Sequence, residues 1–340
     1  MRLSLRLALL VCASLGALAF AGSAWAAYAP RLVAGAATNT PGKPTAMILS
    51  HVQAENDDPT AKDTIYVPLG YQLNLSQAVG TEIGELFALV ILRNGGNAHV
   101  EVEGTITVDR PANYPPASNS CTPGESHEAV WTLNLTIART PLTVPVYVDH
   151  VTAGPETAFA SGKLQICLAG PIGTPAGAQL LATLFLVQGV FTNPTTVGYR
   201  LWRALFTPYV PGTPKPNPAG TVEGQAFVPS SVVLTITVTR LKHGVVVIRG
   251  RFMAQGRPAP AADVELYVRQ RKVGTKRTNG KGRFSFRKRI RKKTVYQARA
   301  FFLDDFTGGC QGPSIAPAGC QTATIFFFAF SRSVTVKPRR

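Results

Sequence analysis

From Arg269 to Lys293 the chain reads RQRKVGTKRTNGKGRFSFRKRIRKK, and 13 of these 25 residues are Lys or Arg. Guanidinium forks bind phosphate and carboxylate bidentately, so such a run is suited to holding a polyanion. The alternative is a solvated outer face whose charge keeps a sheet from pairing with other sheets. Side chains alternate between the two faces of a strand. In ADVELYVRQRKV, Val264, Leu266 and Val268 share one face, and Glu265, Tyr267, Arg269 and Arg271 share the other. In GKGRFSFRKRI, Phe284 and Phe286 face inward while Arg283, Ser285, Arg287 and Arg289 face outward. Asn279-Gly280 in the connecting GTKRTNGKG suits a tight turn. The expectation is one hairpin that gathers Arg269, Arg271, Arg283, Arg287 and Arg289 on a single face, with Tyr267 as a flat apolar contact. Lys288 breaks the alternation, which places the end of the second arm just before it, or else aims its ammonium outward past the core.

Other groups capable of chemistry are sparse. The five histidines, His51, His99, His127, His150 and His243, share no metal-ligand spacing. No G-x-S-x-G nucleophile motif and no P-loop occurs. Asp149-His150 are neighbours on a predicted strand and so point to opposite faces. Glu101 and Glu103 share a strand face at about 7 Å, a separation a glycosidase could use, but outward strand glutamates are ordinarily just solvated. ENDDPTAKD (Glu55, Asn56, Asp57, Asp58, Asp63) offers hard oxygen ligands for calcium, without the EF-hand order. An Asx-type turn before Pro59 accounts for the same residues. Trp131 shares parity with Ala129, Leu133 and Leu135 and reads as core; Trp202 is open between core and sugar stacking. The expectation is a protein that is not an enzyme and needs neither cofactor nor metal.

The charge is unevenly placed along the 340 residues. Val228–Arg340 holds 23 of the 35 Lys+Arg and 4 of the 18 acids, leaving 12 and 14 for the first 227 residues. The formal +17 therefore belongs to the C-terminal third, which points to an anionic partner or to a solvated basic surface. Arg2 and Arg6, the apolar Leu7–Ala21 and the small-x-small Ala24-Trp25-Ala26 predict an export signal at residues 1–26, cut after Ala26. LLVC, ending at Cys12, is only a loose lipoprotein box, because Val11 stands where a small residue is wanted. No later apolar run reaches the ~18 residues of a membrane span. The expected location is secreted, extracellular or at the cell surface. The four remaining cysteines then predict two disulfides. Local pairing, Cys121–Cys167 and Cys310–Cys320, is preferred because each bridge stays inside one predicted domain; zinc is disfavoured by the spacings.

The elements that must carry these groups are short strands. DTIYVPLGYQLNL, LFALVILRN, HVEVEGTITVD, AVWTLNLTIA and ATLFLVQGVF are rich in β-branched and aromatic residues and are separated by Gly/Pro/Asn turns. The predicted fold is all-β, with two β-sandwich domains of immunoglobulin-like or transthyretin-like type after the cleaved signal. The first runs over 28–206. The Pro- and Gly-dense 207–224 is a linker or a surface loop, and the basic second domain covers 225–340.

The segment VVVIRGRFMAQGRPAPAADVELYVRQRKVGTKRTNGKGRFSF resembles the carboxypeptidase regulatory-like domain, a small transthyretin-like β-sandwich. Gly250, Gly256, Pro258, Val264, Leu266, Thr278, Asn279, Gly282, Phe284 and Phe286 fit its pattern over roughly Val245 to Phe302. Ala261 stands where that family usually has Gly, and Asn279 where Asp is common. The resemblance implies an accessory module for binding or spacing rather than catalysis. DDPTAKDTIYVPLGY and WRALFTPYVPGTPKPNPAGTVE resemble exported bacterial β-proteins of unknown role. Taken together, the expectation is a non-catalytic binding protein whose basic C-terminal sheet face meets an anionic envelope polymer or membrane surface, with nucleic acid disfavoured by compartment. A secreted glycosidase-like hydrolase with an accessory second domain, and a structural spacer or adhesin component, are the alternatives.

Overall fold

The computed structural model describes residues 28–119, 121–306 and 310–338. The predicted signal, its cleavage site and Cys12 lie outside the described residues. The fold is all-β: strand makes up 59%, and the helices are single 3-10 turns of three or four residues. None is long and apolar enough to cross a membrane among the described residues.

In chain order the first strands are β1 (Arg31–Ala36), β2 (Pro44–Val52), β3 (Thr60–Pro68), β4 (Gln72–Leu73), β5 (Glu82–Leu92), β6 (Ala98–Asp109) and β7 (Ala129–Ile137). They are followed by β8 (Thr140–His150), β9 (Ala160–Cys167), β10 (Ala178–Thr192), β11 (Tyr199–Pro208) and β12 (Val222–Pro229). The C-terminal part holds β13 (Val232–Arg240), β14 (Val245–Ala254), β15 (Arg257–Pro258), β16 (Asp263–Val268) and β17 (Arg271–Arg277). It ends with β18 (Arg283–Arg289), β19 (Thr294–Phe306), β20 (Cys320–Phe330) and β21 (Val334–Val336).

Pairing runs without a break through β1–β2–β10–β5–β6–β7–β8–β9–β3–β11–β12 and on through β20–β19–β16–β17. The sheet does not close into a barrel. Some of its strands alternate buried and partly exposed residues, while others are buried along most of their length. Trp131, Trp202, Phe191, Phe206 and Leu86 meet in one core. Both tryptophans are core residues, at 1% and 0% exposure. A second core forms where β13, β14 and β18 pack their inner rows against β16, β19 and β20, around Phe252, Phe284, Phe286, Leu266 and Phe327. β13, β14, β15 and β18 make a separate four-stranded sheet.

The Pro/Gly-dense 207–224 connects β11 to β12, which pair antiparallel from Tyr199↔Pro229 to Phe206↔Val222. It is thus a hairpin loop on the surface, not a spacer between bodies. The changeover between cores comes later than residue 225, because Val222, Ala226 and Val228 all lie in the first core. β12 also pairs in parallel with β20, so the strands around the two cores share a sheet.

The motif residues of the C-terminal segment each have a local task. Gly282 sits at φ 66, and a Cβ there would collide with the Phe252 carbonyl oxygen, so a side chain is strained twice over. Gly250 leaves room for the Phe284 ring that covers it. Asn279 Oδ1 accepts from the Lys281 and Arg283 amides, both at 3.0 Å, which shapes the turn into β18. Buried Thr278 accepts from the Ala262 amide at 2.9 Å and donates to the Ala259 carbonyl at 2.7 Å. Thr278→Val keeps the shape and strands both backbone groups. It is expected to destabilise by about 2 kcal/mol, seen as a lower urea midpoint at unchanged slope. A shift worth less than about 0.5 kcal/mol would show that the turn does not depend on this hydroxyl.

Candidate functional site

The predicted hairpin does not form. β16 turns back at once into β17, with pairs from Asp263↔Arg277 to Val268↔Arg271. The turn is Arg269-Gln270, both at positive φ (47 and 68), the two-residue geometry that matches strand twist. Neither residue is Gly or Asn, so ordinary turn chemistry gives no warning of it. The Asn279–Gly282 turn then carries the chain across to the other sheet, where β18 pairs with β14. Tyr267, Arg269 and Arg271 therefore lie on one sheet, and Arg283, Arg287 and Arg289 on the other. The six residues do not share a face.

Tyr267 is also already engaged. Its hydroxyl donates to Glu265 Oε2 at 2.6 Å, and the Arg299 guanidinium lies 4.0 Å above its ring. Burial, then the Glu265 carboxylate, push the hydroxyl up to about 12, so it remains a donor throughout the neutral range. Two cations on this sheet have acidic partners: Lys272 meets Glu265 at 2.7 Å and Arg277 meets Asp263 at 3.7 Å. Arg269, Arg271 and Lys276 are exposed and make no ion pair among the described residues. Arg31 reaches Asp305 from β1.

The strands of the four-stranded sheet carry no acid. Its register places Arg251 directly opposite Arg283, Arg249 opposite Ser285, Val247 opposite Arg287 and Val245 opposite Arg289. Arg249, Arg251, Arg283, Arg287 and Arg289 are all exposed. On the other flank of β14, Thr237 and Thr235 of β13 stand opposite Arg249 and Arg251. All four C-terminal acids, Asp263, Glu265, Asp304 and Asp305, lie on β16 and β19 of the other sheet. Among the described residues none of the five arginines makes an ion pair. Strand geometry spaces neighbours on one row at about 7 Å and adjacent rows at about 5 Å. The array spans about 20 Å from Arg283 to Arg289. Arg249 and Arg251 were legible in VVVIRGRF, where they alternate with buried Ile248 and Phe252; what was missing was that this strand, not the preceding arm, pairs with β18.

Lys288 keeps the strand's alternation: β18 continues through Arg289, and the Lys288 ammonium points inward to donate to the Val273 carbonyl. It joins the edges of the two sheets, with no strand end and no outward excursion.

The remaining candidates separate. Glu101 and Glu103 are exposed on β6 opposite Leu89 and Phe87. In the 55–63 loop the acids diverge. Asp57 Oδ2 accepts from the Ala54 and Ala29 amides, Asp63 faces His51, and Glu55 lies 3.6 Å from Arg93. Asp149 bonds His127 Nδ1 at 2.8 Å, and Thr122 Oγ1 lies 2.8 Å from His127 Nε2. That is the order of a nucleophile, base and orienting acid, yet Thr122 is wholly buried, so no substrate can reach its hydroxyl. His150 meets Glu128 instead, and this carboxylate holds the imidazole above its ordinary value. Cys121 bonds Cys167 and Cys310 bonds Cys320, as local pairing requires. Glu223 sits beside the second pair, but bonded sulfurs offer no thiolate to a metal.

Fold and site together define an all-β protein that carries an arginine array on one narrow sheet. No family model matches the chain, and no curated protein matches it.

Proposed function

We propose that this is an exported, non-catalytic binding protein built from two β-sandwich domains, whose β14–β18 face holds a linear polyanion of the cell envelope or surface. The reading places a carboxypeptidase regulatory-like module at 245–302 as the binding unit. The observation that carries it is the Arg251–Arg283 pair, two like charges directly opposite each other with no ion-pair partner among the described residues. Such a pair opposes folding by roughly 0.2–1 kcal/mol, and a face meant only to stay soluble has no need of it. A bound polymer with charges every 5–7 Å relieves that repulsion, and each guanidinium can fork onto a phosphate or carboxylate.

Arg251→Gln with Arg283→Gln is therefore expected to move two quantities in opposite directions. The urea midpoint rises slightly, while retention on a polyanion such as heparin falls at least tenfold in 0.1 M salt. Wild-type retention should itself fade as salt rises, because the contacts are exposed. A double variant that binds as well as wild type, or wild-type binding indifferent to salt, would overturn the reading.

A further inference from the structure

Between the unpaired edges of β17 and β18, at one end of the second core, lies an open cleft of about 540 Å³. Its floor is apolar: Val268, Val273, Ile290 and Tyr296. Its exposed lining cations are Arg289, Arg291 and Lys292. The floor exists because β17 pairs only with β16 and β18 only with β14, so neither edge covers the inner row at the turn of residues 290–293. Lys288 spans the gap and is held by the Val273 carbonyl. Arg289, Arg291 and Lys292 are exposed and make no ion pair among the described residues.

We infer that this cleft takes a single-chain anionic amphiphile, its alkyl chain on the valines and Tyr296 and its carboxylate or phosphate at the exposed cations. Three features converge. The volume falls in the range of small-molecule sites, about 300–1,000 Å³. A greasy floor alone would accept any apolar ligand, but three exposed cations, Arg289, Arg291 and Lys292, select for negative charge at the end of the chain. The long cationic stems can lie along the chain while their charges stay in water. The inference goes beyond the polymer reading and shares with it only Arg289.

The test is calorimetric titration of the full chain with dodecanoate kept below its micelle concentration. One saturable site is expected. Decanoate should bind roughly 15-fold more weakly, since each buried methylene is worth about fourfold. Dodecan-1-ol and dodecyltrimethylammonium should bind at least tenfold more weakly than dodecanoate. Val273→Glu, on the edge strand, should abolish binding. Arg291→Glu with Lys292→Glu, both exposed, should weaken the carboxylate at least tenfold without changing the loss per methylene, and this variant decides the matter if Val273→Glu fails to fold. Arg251→Gln with Arg283→Gln should leave dodecanoate binding unchanged, which separates this site from the polymer face. Equal affinity for the alcohol, no dependence on chain length, or affinity only for phosphatidylglycerol vesicles and not for monomeric dodecanoate would overturn the inference.

Discussion

Asp63→Ala is expected to lower the stability of the chain by about 3–5 kcal/mol. Asp63 on β3 and His51 on β2 are each 1% exposed, and their side chains meet at 2.9 Å. The two strands are not neighbours: β2 pairs with β1 and β10, β3 with β9 and β11. The bond therefore ties two strands that do not pair with each other. The other ring nitrogen, Nε2, lies 3.1 Å from Gln53 Oε1, and the edge of Phe206 packs 4.9 Å away. Removing the carboxylate leaves one nitrogen of a buried polar ring without its partner. Asp63→Asn, which keeps an acceptor of the same shape, should lose about half as much. His51→Leu with Asp63→Leu should lose much less than the sum of the single changes, because a pair replaced by apolar groups leaves nothing unpaired. Urea unfolding of wild type, the four single variants Asp63→Ala, Asp63→Asn, His51→Leu and Asp63→Leu, and the double variant measures this. A loss below about 1 kcal/mol for Asp63→Ala would show that the pair is a bystander.

What the amino-acid order reveals about this molecule depends on how local the cause is. The strands follow from β-branched runs and period-two alternation, and Trp131 falls on the core side as its parity requires. The cysteine pairing follows from nearness in the chain. The face of Arg283, Arg287 and Arg289 was legible for the same reason, since Phe284 and Phe286 fix it. Their partner strand was not. Arg269-Gln270 reverses the chain with two residues that ordinarily avoid positive φ, and the pairing of β16 with both β17 and β19 holds that turn in place. Once the early turn is known, Arg249 and Arg251 become the neighbours and the array can be assembled. The order β10 between β2 and β5, and β20 parallel to β12, has no local mark at all. The pocket at Val273 and Tyr296 was hidden likewise, because a gap between two sheet edges exists only after both edges are placed.

Cys121→Ser with Cys167→Ser is expected to destabilise by about 4 kcal/mol, against about 3 for Cys310→Ser with Cys320→Ser, because the closed loops span 46 and 10 residues. The more telling expectation concerns where the loss arises. The loop that carries Cys121 is held in the native chain by other bonds. Lys62 Nζ donates to the Cys121 carbonyl at 3.2 Å, Asn119 Oδ1 accepts from the Cys121 and Thr122 amides, and Thr122 reaches Asp149 through His127. With these in place the folded loop should keep its form when the sulfurs are gone, and Lys163 and Gln165 still bind Glu125 from β9. The effect then falls on the unfolded chain, which gains the freedom of a 46-residue loop. An unfolded ensemble that expands exposes more surface, so the urea slope should rise as the midpoint falls. The short loop should change the slope hardly at all. If instead the first variant loses stability at constant slope, and its His127 imidazole becomes open to solvent, the bridge is what positions the loop, and the hydrogen bonds around Thr122 only follow it.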